Sequence, residues 1–143
     1  MFEHCIWYEL HNKHPLHLII KKCARLFHTS PFPAHMTIYR NKTKRQANHL
    51  WHIHVHDIKR WFFKIGNLYQ THEHNFYALQ QDFTDHERVF HVSIAYRYGT
   101  PFTPNECIHA AMLINIDEIN ENDTFVSHHL CNSTNPSQWK RIR

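Results

Sequence analysis

The order of apolar and polar positions along the chain predicts strands alternating with helices. An aromatic and β-branched run over residues 2–10 indicates a first strand. A helix follows, because Pro15 suits a first helical turn and apolar side chains from residue 16 to residue 27 recur at spacings of four, three and four. Pro31 and Pro33 must end this helix, and residues 34–40 are then predicted to form a second strand.

A second helix is predicted over residues 44–65. Thr43 and Gln46 have the spacing of a capping box. Apolar side chains recur at alternating spacings of four and three from Trp51 to Tyr69, which is the pattern of one buried helix face. Gly66 lies where such a helix would end.

Three more strands are predicted in the second half of the chain, over residues 76–83, 88–98 and 108–116. The last also admits a helix, because residues 110–113 read Ala-Ala-Met-Leu. This order predicts an α+β fold of two-lobed antiparallel sheets with flanking helices around a central cleft. No low-complexity linker divides the chain, so residues 1–143 are predicted to form a single domain built from two similar halves.

Composition narrows the classes of function. No apolar run approaches the roughly 20 residues of a membrane span, and no signal-peptide pattern opens the chain. The four cysteines include no closely spaced pair, so we expect reduced thiols, a cytoplasmic protein and no membrane partner. The chain contains 17 histidines and only two glycines. Two glycines are too few for a glycine-rich phosphate loop. The net charge of +4 favours an anionic partner, whose phosphate would have to be bound by side chains.

The same short pattern of histidine, apolar residue, hydroxyl residue and apolar residue occurs in two of the predicted strands. It reads His35-Met-Thr37-Ile in the first copy and His91-Val-Ser93-Ile in the second. Because side chains alternate across a strand, each imidazole should share a face with its hydroxyl while the apolar residues face the core. Arg97, four residues beyond Ser93, should lie on that same face.

Two imidazoles and two hydroxyls suit the cleavage of a phosphodiester without a metal or other cofactor. Imidazole titrates near neutral pH, so one ring can accept a proton from the attacking oxygen while the other donates one to the leaving oxygen. The hydroxyls of Thr37 and Ser93 would hold the non-bridging phosphate oxygens, and Arg97 would balance their charge. His35 and His91 are therefore the predicted catalytic residues.

The two motif strands, the Pro-Phe-Pro-Ala lead-in at residues 31–34 and the aromatic strand before the first helix resemble the two-histidine (2H) phosphoesterase superfamily. Within this superfamily, the small size of the chain is similar to that of viral 2′,5′-phosphodiesterases, such as the torovirus replicase domain and its coronavirus and rotavirus relatives. The resemblance implies cleavage of 2′,5′-oligoadenylate in the host cytoplasm, which would prevent activation of RNase L in the interferon response. It implies no stable protein partner.

Other functions fit parts of the sequence. A 2′,3′-cyclic phosphate or a cyclic dinucleotide would use the same imidazoles. The main alternative to a phosphodiesterase is a zinc site in the histidine-rich segment at residues 49–56. If this segment were a strand, three of its imidazoles would lie on one face. The helical stripe around Trp51 argues against that geometry. A non-enzymatic RNA-binding module would rest on a short basic segment. The histidine cluster comprises His49, His52, His54 and His56, and the basic segment comprises Arg40, Lys42, Lys44 and Arg45.

Overall fold

The computed structural model describes residues 4–54, 59–61, 64–73, 75–85, 88–114, 118–119 and 124–131. The elements in these ranges follow one another in the order β1 His4–Leu10, α1 Pro15–Phe27, β2 His35–Lys42, α2 Lys44–His54, β3 Lys59–Trp61, β4 Lys64–Glu73, β5 Phe76–Asp85, β6 Arg88–Tyr98, α3 Pro104–Leu113 and β7 Thr124–Cys131.

The strands form two separate sheets, and the chain divides into two compact units around them. The first unit contains a sheet of order β2-β1-β7-β3 together with α2, and the second contains a sheet of order β4-β5-β6 together with α1 and α3. Neighbouring strands pair antiparallel from β1 to β2, β1 to β7, β4 to β5 and β5 to β6. The predicted α+β class is confirmed, whereas the central cleft and the 2H fold stay predictions.

The first unit buries a small apolar core between β1 and α2. Ile6 of β1 is fully buried against Ala47 of α2, and Tyr39, Leu50 and Trp51 surround this contact. Residues 47, 50 and 51 recur at helical spacing, so one face of α2 covers one face of the sheet.

The second unit is covered on one sheet face by α1 and α3. The predicted apolar stripe of α1 is confirmed: Leu16, Ile20, Cys23 and Phe27 are all buried. Burial raises the pKa of the Cys23 thiol to about 11. The helix packs against β6 and α3, and it ends where His28 takes a left-handed conformation with φ of 56°.

The predicted helix over residues 44–65 is wrong from residue 59 onwards, where the described residues are strand. The described part of α2 is Lys44–His54, β3 occupies residues 59–61 and β4 begins at Lys64, while residues 55–58 and 62–63 lie outside the described residues. Residues 53–63 are rich in β-branched and aromatic side chains, which favour strands over helices. Pairing of β4 with β5 at eight positions then outweighs the helical periodicity.

The predicted strand over residues 108–116 is also wrong, because α3 occupies its first six positions and residues 115–116 lie outside the described residues. The helix begins with a capping box in which the Thr103 hydroxyl accepts from the Glu106 amide at 3.1 Å and the Glu106 carboxylate accepts from the Thr103 amide at 2.9 Å. Pro104 follows the cap at the position that proline prefers. No helix in the described ranges is long and apolar enough to cross a membrane.

Acid should destabilise the fold through His14, whose Nδ1 accepts from the Leu16 amide at 3.2 Å and caps α1. Burial, and secondly the nearby His17, lower the pKa of His14 from 6.5 to about 4. Between these values the unfolded chain binds a proton that the folded chain excludes, so the free energy of unfolding should decrease as pH falls from about 6.5 towards about 4 and should be unaffected above that window.

Urea unfolding at pH 7 and at lower pH measures this effect, whose upper limit is about 3 kcal/mol. His14→Asn should keep an acceptor at the helix cap and remove this part of the pH dependence. His49→Asn, at an exposed position on α2, is the matched control and should follow the wild-type profile. Identical pH profiles for His14→Asn and the wild type would show that His14 is not the responsible group.

Candidate functional site

The first half-site consists of His35 and Thr37 on β2. In the register of the first sheet, His35 lies opposite Glu9 and Thr37 lies opposite Trp7. Residues opposite one another share a sheet face, and Glu9 and Trp7 are alternate residues of β1. The His35 imidazole and the Thr37 hydroxyl therefore lie on the same face, as the alternation predicts. Met36 between them is 1% exposed, which fits a core position on the other face.

His35 is held by an aromatic stack and is not on an exposed face. Its ring lies on the Trp7 indole with centroids 3.7 Å apart and an interplanar angle of 19°. His35 is 3% exposed and Trp7 is 2% exposed, so both rings are buried. The expectation that this imidazole lies on an open face is therefore wrong. The stack fixes the plane of the ring.

The second half-site consists of His91 and Ser93 on β6. His91 lies opposite Asp82 and Ser93 lies opposite Gln80, so both share one face of the second sheet, which we call the histidine face. His91 is half-buried and Ser93 is 6% exposed. The two half-sites therefore have the same construction on two different sheets.

Both motif strands contain one extra residue immediately after the hydroxyl. Thr37 pairs with Trp7 and Tyr39 with Ile6, so Ile38 has no counterpart on β1. Likewise Ser93 pairs with Gln80 and Ala95 with Leu79, which leaves Ile94 as the extra residue. Such bulges bend the strand locally and are over-represented beside active sites.

The bulge at Ile94 moves Arg97 to the other face of the second sheet. Ala95 and Arg97 lie opposite Leu79 and Tyr77, which alternate with the histidine-face position Gln80. The expectation that Arg97 shares a face with Ser93 is therefore wrong, because alternation holds only where the strand has no bulge. Its predicted role towards a substrate stays a prediction.

On this opposite face the Arg97 guanidinium is part of the packing. It donates to both carboxylate oxygens of Glu106, at 2.7 and 2.6 Å, and to the Phe27 carbonyl at 3.0 Å. Its centre also lies 4.5 Å from the centroid of the Phe102 ring. The bond from Arg97 is the largest cause that lowers the pKa of Glu106, to about 2. Arg97 thus joins β6 to the end of α1 and the start of α3.

Sequence reasoning missed three residues beside the second half-site. The Tyr96 hydroxyl bonds the Ser93 hydroxyl with 2.6 Å between the oxygens. Asp82 lies across from His91 in the register, and its carboxylate is hydrogen-bonded by Tyr69. Burial, followed by the bond to Asp82, raises the pKa of Tyr69. Nothing in the spacing of the sequence indicates the bond of Tyr96 to Ser93.

The backbone just before the first half-site is anchored by another missed residue. The amide of Ala34 donates to Nδ1 of His17 at 3.0 Å, although the two are 17 positions apart. The sequence does not indicate this bond, because a single histidine on a helix carries no signal of such a contact. The bond holds the end of the segment that leads into β2.

The histidine cluster lies partly in α2, which contains His49, His52 and His54, while His56 lies outside the described residues. The strand geometry that would place three imidazoles on one face is therefore absent up to residue 54. Within the described part of the chain, no three histidine, cysteine or acidic side chains lie close enough together to hold a metal ion.

No protein-family model matches this chain, and no curated protein matches it with significant similarity.

Because His35 is buried in a stack, His35→Ala should lower the free energy of unfolding by about 2 kcal/mol, as other large-to-small changes at buried positions do. Urea denaturation measures the loss. His72→Ala is the matched control, since His72 stacks on Tyr77 with centroids 4.1 Å apart but is exposed, and it should change stability by less than about 0.5 kcal/mol. Equal losses in the two variants would show that burial of His35 contributes nothing.

Proposed function

We propose that this chain is a metal-independent phosphodiesterase in which His35 and His91 act together on one phosphodiester. The observation that carries the proposal is the repeated half-site. Each of the two sheets has one strand with a histidine, a hydroxyl two residues later on the same face, and a bulge directly after the hydroxyl. Paired half-sites suit a reaction that needs two proton transfers at one phosphorus.

The proposed chemistry assigns one proton transfer to each imidazole. One neutral ring takes the proton of the attacking hydroxyl, and the other, protonated, ring gives a proton to the leaving oxygen. Thr37 and Ser93 donate hydrogen bonds to the non-bridging oxygens, whose charge develops as the phosphorus becomes pentacoordinate. The stack on Trp7 supports this role for His35. Because the ring is already held in one orientation, less conformational entropy is lost on reaching the transition state.

The proposed substrate is 2′,5′-linked oligoadenylate, on the strength of the resemblance to viral 2H phosphoesterases. The free 3′-hydroxyl beside the 2′-linked phosphate would attack the phosphorus, which leaves a cyclic phosphate on one product and a 5′-hydroxyl on the other. Removing this messenger would antagonise RNase L in the host cytoplasm. A 2′,3′-cyclic phosphate or a cyclic dinucleotide is the alternative substrate for the same imidazoles.

His35→Gln and His91→Gln should each reduce cleavage of a 2′,5′-linked adenylate trimer by about 10²- to 10⁴-fold, because each removes one proton transfer. Glutamine replaces the rings here because it leaves a smaller cavity than alanine. His72→Gln, at the exposed stacked position, should retain wild-type rates. Product chromatography under single-turnover conditions measures the rates, and normal turnover by either of the first two variants would show that the pair is misassigned.

The same assay separates the proposal from a metal mechanism. Wild-type activity should survive dialysis against EDTA, and kcat/KM should rise and then fall with pH near neutrality, since one imidazole must be neutral and the other charged. The two apparent pKa values would belong to the pair and not to either residue. Loss of activity on chelation with recovery on zinc would favour the histidine cluster around His52.

A substrate that lacks the attacking group tests the internal-attack step. A 3′-deoxy 2′,5′-linked adenylate trimer should resist cleavage, because no neighbouring hydroxyl remains to attack the phosphorus. The parent trimer is the control and should yield a cyclic phosphate detectable by mass. Equal hydrolysis of the two trimers would identify water as the nucleophile and overturn the internal attack while leaving the histidine pair in place.

A further inference from the structure

The Ser93 hydroxyl has a partner that the sequence pattern does not indicate. The oxygens of Tyr96 and Ser93 are 2.6 Å apart, a short distance for two hydroxyls. A phenol is a stronger acid than an alkyl hydroxyl, so the tyrosine is the donor and the serine oxygen is the acceptor. The proton of Ser93 is then directed away from Tyr96 and is available to another acceptor.

The Tyr96 ring is fixed on two sides. Its centroid lies 5.1 Å from that of Phe32 and 5.5 Å from that of Phe76, with the second pair edge to face. Tyr96 also lies opposite the fully buried Ala78 in the register of the sheet. A ring packed in this way has a fixed position, so its hydroxyl is a fixed donor towards Ser93.

The two half-sites differ at this point. The first carries Thr37, whose β-branch restricts rotation about χ1 without outside help. The second carries Ser93, which lacks that methyl group and has more rotational freedom. The position that corresponds to Tyr96 in the first half-site is occupied by the exposed Arg40. A tyrosine donor therefore accompanies the hydroxyl that needs to be restrained.

We propose that Tyr96 is a positioning residue, which holds the Ser93 hydroxyl in the rotamer that donates to a non-bridging phosphate oxygen. The inference rests on the proposed phosphodiesterase function and adds to it a residue that acts through Ser93. Tyr96 itself need not touch the substrate. Its removal should matter only while the Ser93 hydroxyl is present.

A double-mutant cycle on the full chain tests this dependence. Tyr96→Phe keeps the packed ring and should lower kcat/KM for the 2′,5′-linked adenylate trimer by about 3- to 10-fold, the effect of one lost neutral hydrogen bond. Ser93→Ala should lower it at least as much, and adding Tyr96→Phe to Ser93→Ala should cause no further loss. Tyr98→Phe is the matched control, because Tyr98 lies two positions along on the same face and is 40% exposed, and it should leave the rate unchanged.

Each outcome decides between the proposals. If the wild type is active and Tyr96→Phe is equally active, the positioning role alone is overturned. It is also overturned if the rate losses of the two single variants multiply in the double variant. A wild type that cleaves no 2′,5′-linked, cyclic phosphate or cyclic dinucleotide substrate would overturn the phosphodiesterase function and this inference with it. Loss in Tyr96→Phe that disappears in the Ser93→Ala background supports the inference.

Discussion

The antiparallel pairing of β2 with β1 and of β6 with β5 determines where every candidate site residue points. In each pair a single isoleucine is left without a counterpart, directly after the hydroxyl of the motif. Up to that point the histidine and the hydroxyl share a face, and beyond it the alternation is reversed. The bulge thus places Arg97 on the opposite face and brings Tyr96 onto the face of His91 and Ser93.

Because of the bulge, Arg97 packs on the sheet face opposite to the one that carries His91 and Ser93. The reversal brings its guanidinium to the helix-covered face, where it bonds the carbonyl that ends α1 and the carboxylate that caps α3. Gln70 of β4 makes a reciprocal pair with the backbone of Phe102 on that face, with contacts of 2.7 and 3.2 Å. These bonds attach the helices to one face of the sheet, while His91, Ser93 and Tyr96 occupy the other.

The half-sites are restrained by different means. His35 is buried against an indole, and Thr37 beside it is restricted by its own β-branch. In the second half-site the hydroxyl is bonded by Tyr96, and Asp82 across from His91 is bonded by Tyr69. Side chains restrained before a substrate arrives lose less entropy when it binds, which is the physical basis of a preorganised site.

Elements whose signal is local can be predicted from the sequence alone. The apolar stripe and proline start of α1 predict that helix, and runs of aromatic and β-branched residues predict β1, β2, β5 and β6. The repeated motif predicted that each histidine shares a face with its hydroxyl, since side-chain alternation over three residues needs no knowledge of the partner strand. The capping box before α3 is also a local signal, because Thr103 and Glu106 are three positions apart.

Features that depend on distant partners follow from the packing and register of the folded chain. The strands at residues 59–61 and 64–65, where the periodicity predicts helix, follow from the pairing of β3 with β7 and of β4 with β5, which supplies hydrogen bonds that a helix there would forgo. The faces of Arg97 and Tyr96 depend on a bulge, and a bulge is defined only against the opposing strand. The burial of His35 depends on Trp7, 28 positions earlier in the chain, because β1 and β2 are neighbours in the sheet. Periodicity reports which residues share a face of one element, whereas register and packing decide what that face meets.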